Sequence, residues 1–329
     1  MSLFQFNNHK ATAYMESLAL DSLDPGLHKL RMPMVSDGLG RSVQLPILVL
    51  KGTKKGHVLG ITSAIHGNEI NGIPVIHQLV RQIDPAKLRG SIVAVPVVNI
   101  PGFLARTRTY EDGKDLNRIM PGRSKGEGGE AFAYRFVEKV LRHFDFLVDL
   151  HTASFGRANS LYIRADLSHG QTHRMALLQR PQIILNNTAS DGSLRGQAAT
   201  MGIPAITIEI GNPNLFQPKL IKRTLVGLRA VLGELKMMPK SKIQIKEDPV
   251  ICADSFWIYS DHGGILKVLA EPTEFVEKGQ KIAMLRTIYG DLICEYRAPC
   301  DGIVIGKSIN PVATTGARIL HLGVFDSND

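Results

Sequence analysis

His66 and Glu69 stand three residues apart in Ile61-Thr-Ser-Ala-Ile-His-Gly-Asn-Glu-Ile-Asn-Gly-Ile-Pro-Val-Ile-His77. An apolar strand gives way to a helix there, so the imidazole and the carboxylate face the same way. A catalytic zinc ion takes three protein ligands and keeps one position for water, and two His with one Glu is one such set. The third ligand belongs at another strand end. His151 is so placed: Phe144-Asp-Phe-Leu-Val-Asp-Leu150 reads as a buried strand and Asp149-Leu-His-Thr-Ala153 as its polar exit. A lone histidine beside an apolar run is more often a satisfied core residue, so the assignment needs the rest of the pattern.

Two further stretches supply it. Arg106-Thr-Arg-Thr-Tyr-Glu-Asp-Gly-Lys-Asp-Leu-Asn-Arg-Ile-Met-Pro-Gly122 follows the apolar run Ile92–Ile100, and a Gly- and Pro-punctuated loop with three arginines after a strand is where binding groups collect. In Pro204-Ala-Ile-Thr-Ile-Glu-Ile-Gly211 a single carboxylate, Glu209, interrupts a strand-like apolar run. Burying it is costly without a reason. A general base is one reason and an ion pair with a core arginine is another.

Together, His66-x-x-Glu69, Asp115-Leu-Asn-Arg118 with Pro121-Gly122, Asp149-Leu-His151 and Ile208-Glu-Ile-Gly211 resemble the succinylglutamate desuccinylase and aspartoacylase family, zinc hydrolases on the carboxypeptidase A fold. The resemblance runs from about 60 to 215, with compatible strands to roughly 238. It implies one zinc ion per chain held by His66, Glu69 and His151, with Glu209 as general base. It implies Arg108 as the oxyanion partner, with Arg106 a nearby competitor because the spacing to the Asn-Arg pair varies. Asn117 and Arg118 match the pair that grips a substrate carboxylate, a shape that suits a guanidinium fork. Asp115 matches the acid that orients a zinc histidine. Asp149, two residues before His151 on the same strand face, suits the same task, although either Asp also fits a plain loop or strand-end hydrogen bond. Arg195, opening a helix before the Glu209 strand, reaches either a second anionic group or the surface.

Length and composition agree with an enzyme of this kind. The chain has 329 residues, 44% hydrophobic and 21% charged, enough for one large domain and a small one. No run approaches about 18 apolar residues, so no membrane span is expected. The amino terminus lacks the basic-then-apolar pattern of a secretory signal. Three cysteines, Cys252, Cys294 and Cys300, form no Cys-x-x-Cys pair, which fits free thiols in a reducing cytoplasm. The net charge of +9 is spread along the chain, and aromatics are only 6% without interleaving, which argues against nucleic acid and for attraction of small anionic substrates. A homo-oligomer is compatible with all of this.

The elements that must position these residues follow from periodicity. Strand-like runs at 43–50, 58–65, 92–100, 146–150, 160–164 and 205–210 alternate with helix-like runs at 72–83, 129–142, 172–178, 193–201 and 220–235. This alternation implies an α/β domain over 1–238, a central sheet with helices on both faces, and the resemblance implies that the sheet is mixed. Ligands gather at strand carboxyl ends, where His66, Asn99, His151 and Glu209 fall. From 239 to 329 short β-like segments separated by Gly-containing turns imply a small all-β, barrel-sandwich-like domain. Val276-Glu-Lys-Gly-Gln-Lys-Ile282 and Arg297-Ala-Pro-Cys-Asp-Gly-Ile-Val304 resemble biotinyl and lipoyl carriers, but the hairpin tip Thr287-Ile-Tyr-Gly-Asp291 has no lysine, so a structural appendage or partial lid is expected. His57, His77, His143, His169, His173, His262 and His321 carry no motif and are read as bystanders, and Tyr162 as core.

The expected activity is zinc-dependent hydrolysis of a linear amide in an N-acylated amino acid or related small amine. A metallocarboxypeptidase acting on a small peptide, or a binding protein on the same scaffold, is the alternative.

Overall fold

Ten strands form one mixed sheet covered by helices on both faces, in a computed structural model that describes residues 12–154, 156–188, 191–240 and 248–325. In chain order the strands are β1 (Ala13–Tyr14), β2 (Gly26–Ser36), β3 (Ser42–Lys51), β4 (Lys54–Ser63), β5 (Arg89–Val95), β6 (Phe146–His151), β7 (Arg157–Asn159), β8 (Leu161–Ala165), β9 (Ile183–Asn186), β10 (Ala205–Ile210) and β11 (Val250–Cys252). Their order across the sheet is β1-β2-β3-β5-β4-β6-β10-β8-β9-β11, with β7 outside it. The middle four, β5, β4, β6 and β10, are parallel. Strands covered on both faces read as continuous apolar runs, which is why these were the legible ones.

Alternate residues of each strand face opposite ways and so feed two cores. On one face Leu59, Ile61, Ile92 and Ala94 pack under α1 (Gly72–Gln82), with α4 (Gly170–Leu178) and α6 (Pro218–Glu234) beside it. On the other, Val93 and Val95 pack under α3 (Gly128–Lys139) and α5 (Leu194–Thr200). Each such Leu, Ile, Val or Phe contributes roughly 1.5–3 kcal/mol, which fixes the sheet and hence its carboxyl edge.

Several elements differ from the sequence expectation, among them the short strands β1, β7 and β9, which it did not include. The run read as a strand to Ile100 ends at Val95, and Ile100–Ala105 is a helix, α2. Pro101 cannot donate to a ladder but suits a first helical turn, and the Asn99 side chain caps that turn by accepting from Gly102 N at 2.9 Å. The long strand β2 was not anticipated. Its alternation of buried Leu30, Met32 and Met34 is interrupted by Pro33, where the β2–β3 pairing shifts register.

After residue 248 the chain first adds β11 to the edge of the large sheet beside β9. It then builds β12 (Asp254–Tyr259), β13 (Gly264–Val268), β14 (Phe275–Val276), β15 (Lys281–Arg286), β16 (Leu292–Arg297), β17 (Gly302–Ser308), β18 (Val312–Ala313) and β19 (Arg318–Val324). These form two antiparallel sheets around a core that includes Leu266, Ile282, Leu285, Val304 and Leu320. One sheet takes β7 as an edge strand on β17, pairing Asn159 with Gly306 and Arg157 with Ser308. The C-terminal module is thereby joined to the loop that follows His151. Of the expected seam, residues 241–247 lie outside the described residues.

Candidate active site

Three neighbouring strands deliver the chemistry to one edge. β4 ends at Ser63 and leads to His66, β6 ends at His151, and β10 carries Glu209 in register beside His151. The turn that brings Glu69 back toward His66 closes with Glu69 N donating to His66 O at 3.0 Å. Gly67 inside it has no substitute, because a Cβ there would lie 2.0 Å from the backbone of Gly102 at the start of α2. The same helix start positions the arginine loop, since Asn99 also donates to Arg108 O at 3.4 Å.

His66, Glu69 and His151 are all buried, and one ligand atom from each lies within 4.8 Å of the others. Each imidazole is held from behind by an acid: His66 Nε2 is 3.0 Å from Asp115 Oδ1, and His151 Nε2 is 2.7 Å from Asp149 Oδ2. Both Nδ1 atoms therefore turn inward, each 2.9 Å from a different oxygen of Glu69. Among the described residues His66 Nδ1 has no hydrogen-bond partner of acceptable geometry. An orphaned buried nitrogen beside a second imidazole and a carboxylate, with both rings oriented by carboxylates, is a donor set that fits a zinc-like cation.

The charges are tightly balanced. Burial alone would raise the Glu69 carboxyl, but His66 and His151 outweigh it and hold Glu69 well below the usual range. Burial would likewise lower His151, yet Asp149 and Glu69 raise it well above an ordinary histidine. Asp149, fully buried and bonded by Thr62 Oγ1 at 2.6 Å, stays ionised beside it. Glu209 goes the other way. Burial first, and then the like charge of Glu69, raise it against the pull of His151. Its one side-chain hydrogen bond among the described residues comes from Asn159 Nδ2 at 3.3 Å.

Residues 55–235 match the succinylglutamate desuccinylase/aspartoacylase catalytic domain. The chain belongs to this family. It is 26% identical over 307 residues to N-alpha-acetyl-L-2,4-diaminobutyric acid deacetylase of Halomonas elongata, covering 88% of this chain and 89% of that one. It is 26% identical to succinylglutamate desuccinylase of Pseudomonas paraeruginosa, over 52% of this chain and 56% of that one. Its fold matches the product-bound ectoine utilization protein EutE (DoeB) from Ruegeria pomeroyi with a TM-score of 0.84 at 24% identity, over 92% and 96% of the two chains. A succinylglutamate desuccinylase from Silicibacter sp. TM1040 matches with a TM-score of 0.82 at 24% identity, over 92% and 95%.

In this family member a cavity of about 620 Å³ opens over the three-donor set and takes in Arg108, Asn117, Arg118, Arg195 and Glu209. Arg108 is tied down, bonding Asp115 Oδ2 through Nε at 3.0 Å, Glu69 Oε1 through Nη1 at 3.3 Å, and Ser154. Arg106 is exposed at the end of α2 and does not line the cavity. The oxygen of Asn117 accepts from Leu194 N at 2.8 Å, which leaves its NH2 as the group to offer a ligand. Arg118 is mostly exposed, 3.5 Å from Asp115. Its loop rests on Gly192, whose positive φ and 2.4 Å approach of a built Cβ to Arg118 O admit no side chain. Arg195 is buried, bonded to Asn187 O at 2.7 Å, and burial followed by Arg164 lowers it to about 10.

Other lining residues carried no sequence signal. Ser154 donates to Glu69 Oε1 at 2.7 Å and Thr152 N to Glu69 Oε2 at 3.1 Å, both from the strand exit after His151. Tyr162 is buried as expected, but it also lines the cavity. His321, read as a bystander, lines it too, stacked on Trp257. None of the cysteines does: Cys252 is buried, and burial pushes its thiol up to about 12. Cys300→Ala is expected to leave turnover unchanged in a steady-state assay, and a folded but inactive Cys300→Ala protein would contradict this site.

Proposed function

We propose that this chain is a zinc-dependent deacylase that hydrolyses the amide of an N-acylated amino acid or related small amine, with one zinc per chain. The observation that carries the reading is the register of β6 and β10, which puts Glu209 beside His151 over the same cavity as the three-donor set. His66, Glu69 and His151 would hold the zinc, which when bound supplies a water of lowered pKa and a polarised carbonyl. Glu209 would accept a proton from the attacking water as its oxygen bonds to the carbonyl carbon and the C=O π pair moves onto the carbonyl oxygen. It then returns the proton to the leaving nitrogen as the C–N bond breaks, a shuttle favoured by a carboxyl held above its ordinary value. Arg108 is fixed by two carboxylates before any substrate arrives, so its guanidinium meets developing oxyanion charge without reorganising. Asn117 and Arg118 grip the substrate carboxylate.

Trp257, Arg318 and His321 of the C-terminal module wall one part of the cavity, which favours a small substrate over a peptide laid in an open cleft. The test is metal content of the purified protein alongside amine release from N-succinyl, N-acetyl and peptide substrates, before and after chelation and zinc return. One zinc per chain with chelator-sensitive release from an N-acyl class is expected. Release from peptides alone would favour the carboxypeptidase alternative, and stoichiometric zinc without any release would favour a binding protein.

A further inference from the structure

The general base is the most lightly held group of the site. Arg108 bonds Asp115, Glu69 and Ser154, and Glu69 is bonded by His151, Thr152 N and Ser154. The Glu209 carboxylate has one hydrogen bond among the described residues, from Asn159 Nδ2 at 3.3 Å. A long side chain with several rotors meets one water in one pose only if something holds it there.

What holds Asn159 is the C-terminal module. The strand β7 carries Arg157 and Asn159 to the cavity wall, and it pairs with β17 of the module rather than with the large sheet. Asn159 stands opposite Gly306, and its amide lies over that glycine: a Cβ at 306 would fall on Asn159 Oδ1 and lie 2.9 Å from Ala158 O. The φ of Gly306 is not in the left-handed region, so the space above it, not its backbone, calls for glycine. Ser160 N and Oγ both donate to Ile305 O at 3.1 Å and fasten the next residue to the same strand.

A chain of amides fixes the other side. Asn159 N donates to Asn212 Oδ1 at 3.3 Å, and Asn212 N donates to Gln217 Oε1 at 2.6 Å. Gln217 N donates to Asn71 Oδ1 at 3.0 Å, and Asn71 Nδ2 returns to Ile210 O, the residue after Glu209, at 2.8 Å. Asn71 is fully buried at the start of α1, two residues beyond Glu69. The exit of β10, the start of α1 and β7 are therefore one bonded frame, and Asn159 is its contact with the base.

We propose that Asn159 is a positioning residue for the general base, and that the C-terminal module takes part in catalysis through it: Gly306 seats Asn159, and Asn159 aims Glu209 at the three-donor set. The inference deepens the deacylase reading and rests on it. It assigns the module an effect on turnover rather than on substrate affinity.

The zinc-loaded native enzyme is compared with Asn159→Ala, Asn159→Asp and Gly306→Ala, in steady-state and single-turnover amine release from the N-acyl substrates of the panel above. Crystal structures of the same proteins read the pose of Glu209 without turnover. Asn159→Ala is expected to lower kcat by about 10- to 100-fold, the scale of a hydrogen bond to a charged group, with KM and zinc content unchanged. Asn159→Asp, isosteric but without the donor, should lose at least as much, whereas a space-filling role would leave it near native. Gly306→Ala should lower kcat by displacing the amide, and the Asn159→Ala/Gly306→Ala double variant should lose much less than the product of the two single losses. In the structures Glu209 should swing away while His66, Glu69 and His151 stay in place. Native kcat in Asn159→Ala, a raised KM alone, or loss of activity only in proportion to lost zinc would each overturn the inference and leave the deacylase reading intact. A displaced Glu209 in variants of a native protein that releases no amine from any substrate would support the anchor and sink that reading.

Discussion

Glu209→Gln is expected to keep the metal content of the native enzyme and lower kcat by about 10²- to 10⁴-fold, the usual worth of a positioned general base. Gln preserves the shape of the side chain and its contact with Asn159, but it cannot take a proton from water or pass one to the departing amine. No neighbouring group replaces it easily. Asp149 and Asp115 are spent on the two histidines, and Glu69 is held well below the usual carboxylate range by them. The same substitution has an opposite effect on stability. Because the folded-state carboxyl of Glu209 sits above its ordinary value, its ionised form costs stability at pH above that value, and the cost vanishes as pH falls into the carboxylate range. The metal-free Gln variant should therefore melt higher than the metal-free native protein at pH 8, and the gap should close toward pH 4. Calorimetry across pH with single-turnover kinetics checks both halves. Turnover within tenfold of native would remove Glu209 from the mechanism.

How much of this was readable beforehand depends on how local each signal is. His66 and His151 were legible because they stand at or just beyond the exits of buried parallel strands, which show as apolar runs, and Glu69 because it follows His66 by three residues. Glu209 was legible because a lone carboxylate in Ala205–Ile210 contradicts its surroundings. Arg157, Trp257, Arg318 and His321 were not, because they meet only through the pairing of β7 with β17 and of β12 with β19. Nothing near Arg157 in the sequence announces a partner strand some 150 residues on, and His321 looked idle because the tryptophan it stacks against lies on another strand. Ser154 and Thr152 escaped for a different reason. They contact Glu69 through one hydroxyl and one backbone N–H, and neither needs a distinctive side-chain pattern. The helix at Ile100–Ala105 was misread because Ile100 continues an apolar run, although Asn99 and Pro101 together are a helix-start signal.

His151→Ala is expected to abolish stoichiometric metal binding and to destabilise the metal-free protein by about 3–5 kcal/mol, the cost of breaking a buried ionic pair from one side. The second effect follows from what remains. Asp149 is fully buried, and without the imidazole only Thr62 among the described residues still bonds its side chain. Glu69 would lose one of the two histidines that hold its proton off. Adding Asp149→Ala to His151→Ala should then restore part of the stability, since both partners are gone, while restoring none of the metal. That contrast separates ligation from packing, which either single variant confounds. The native protein offers a complementary readout. In the metal-free state His151 is raised well above an ordinary histidine, and a metal takes imidazole only without its inner proton, so zinc uptake must release protons. Apparent affinity should climb as pH rises from 6 to 8, and a chelator should strip the enzyme more readily at the acid end. A pH-independent affinity, with no proton released on zinc addition, would show that His151 is not among the ligands.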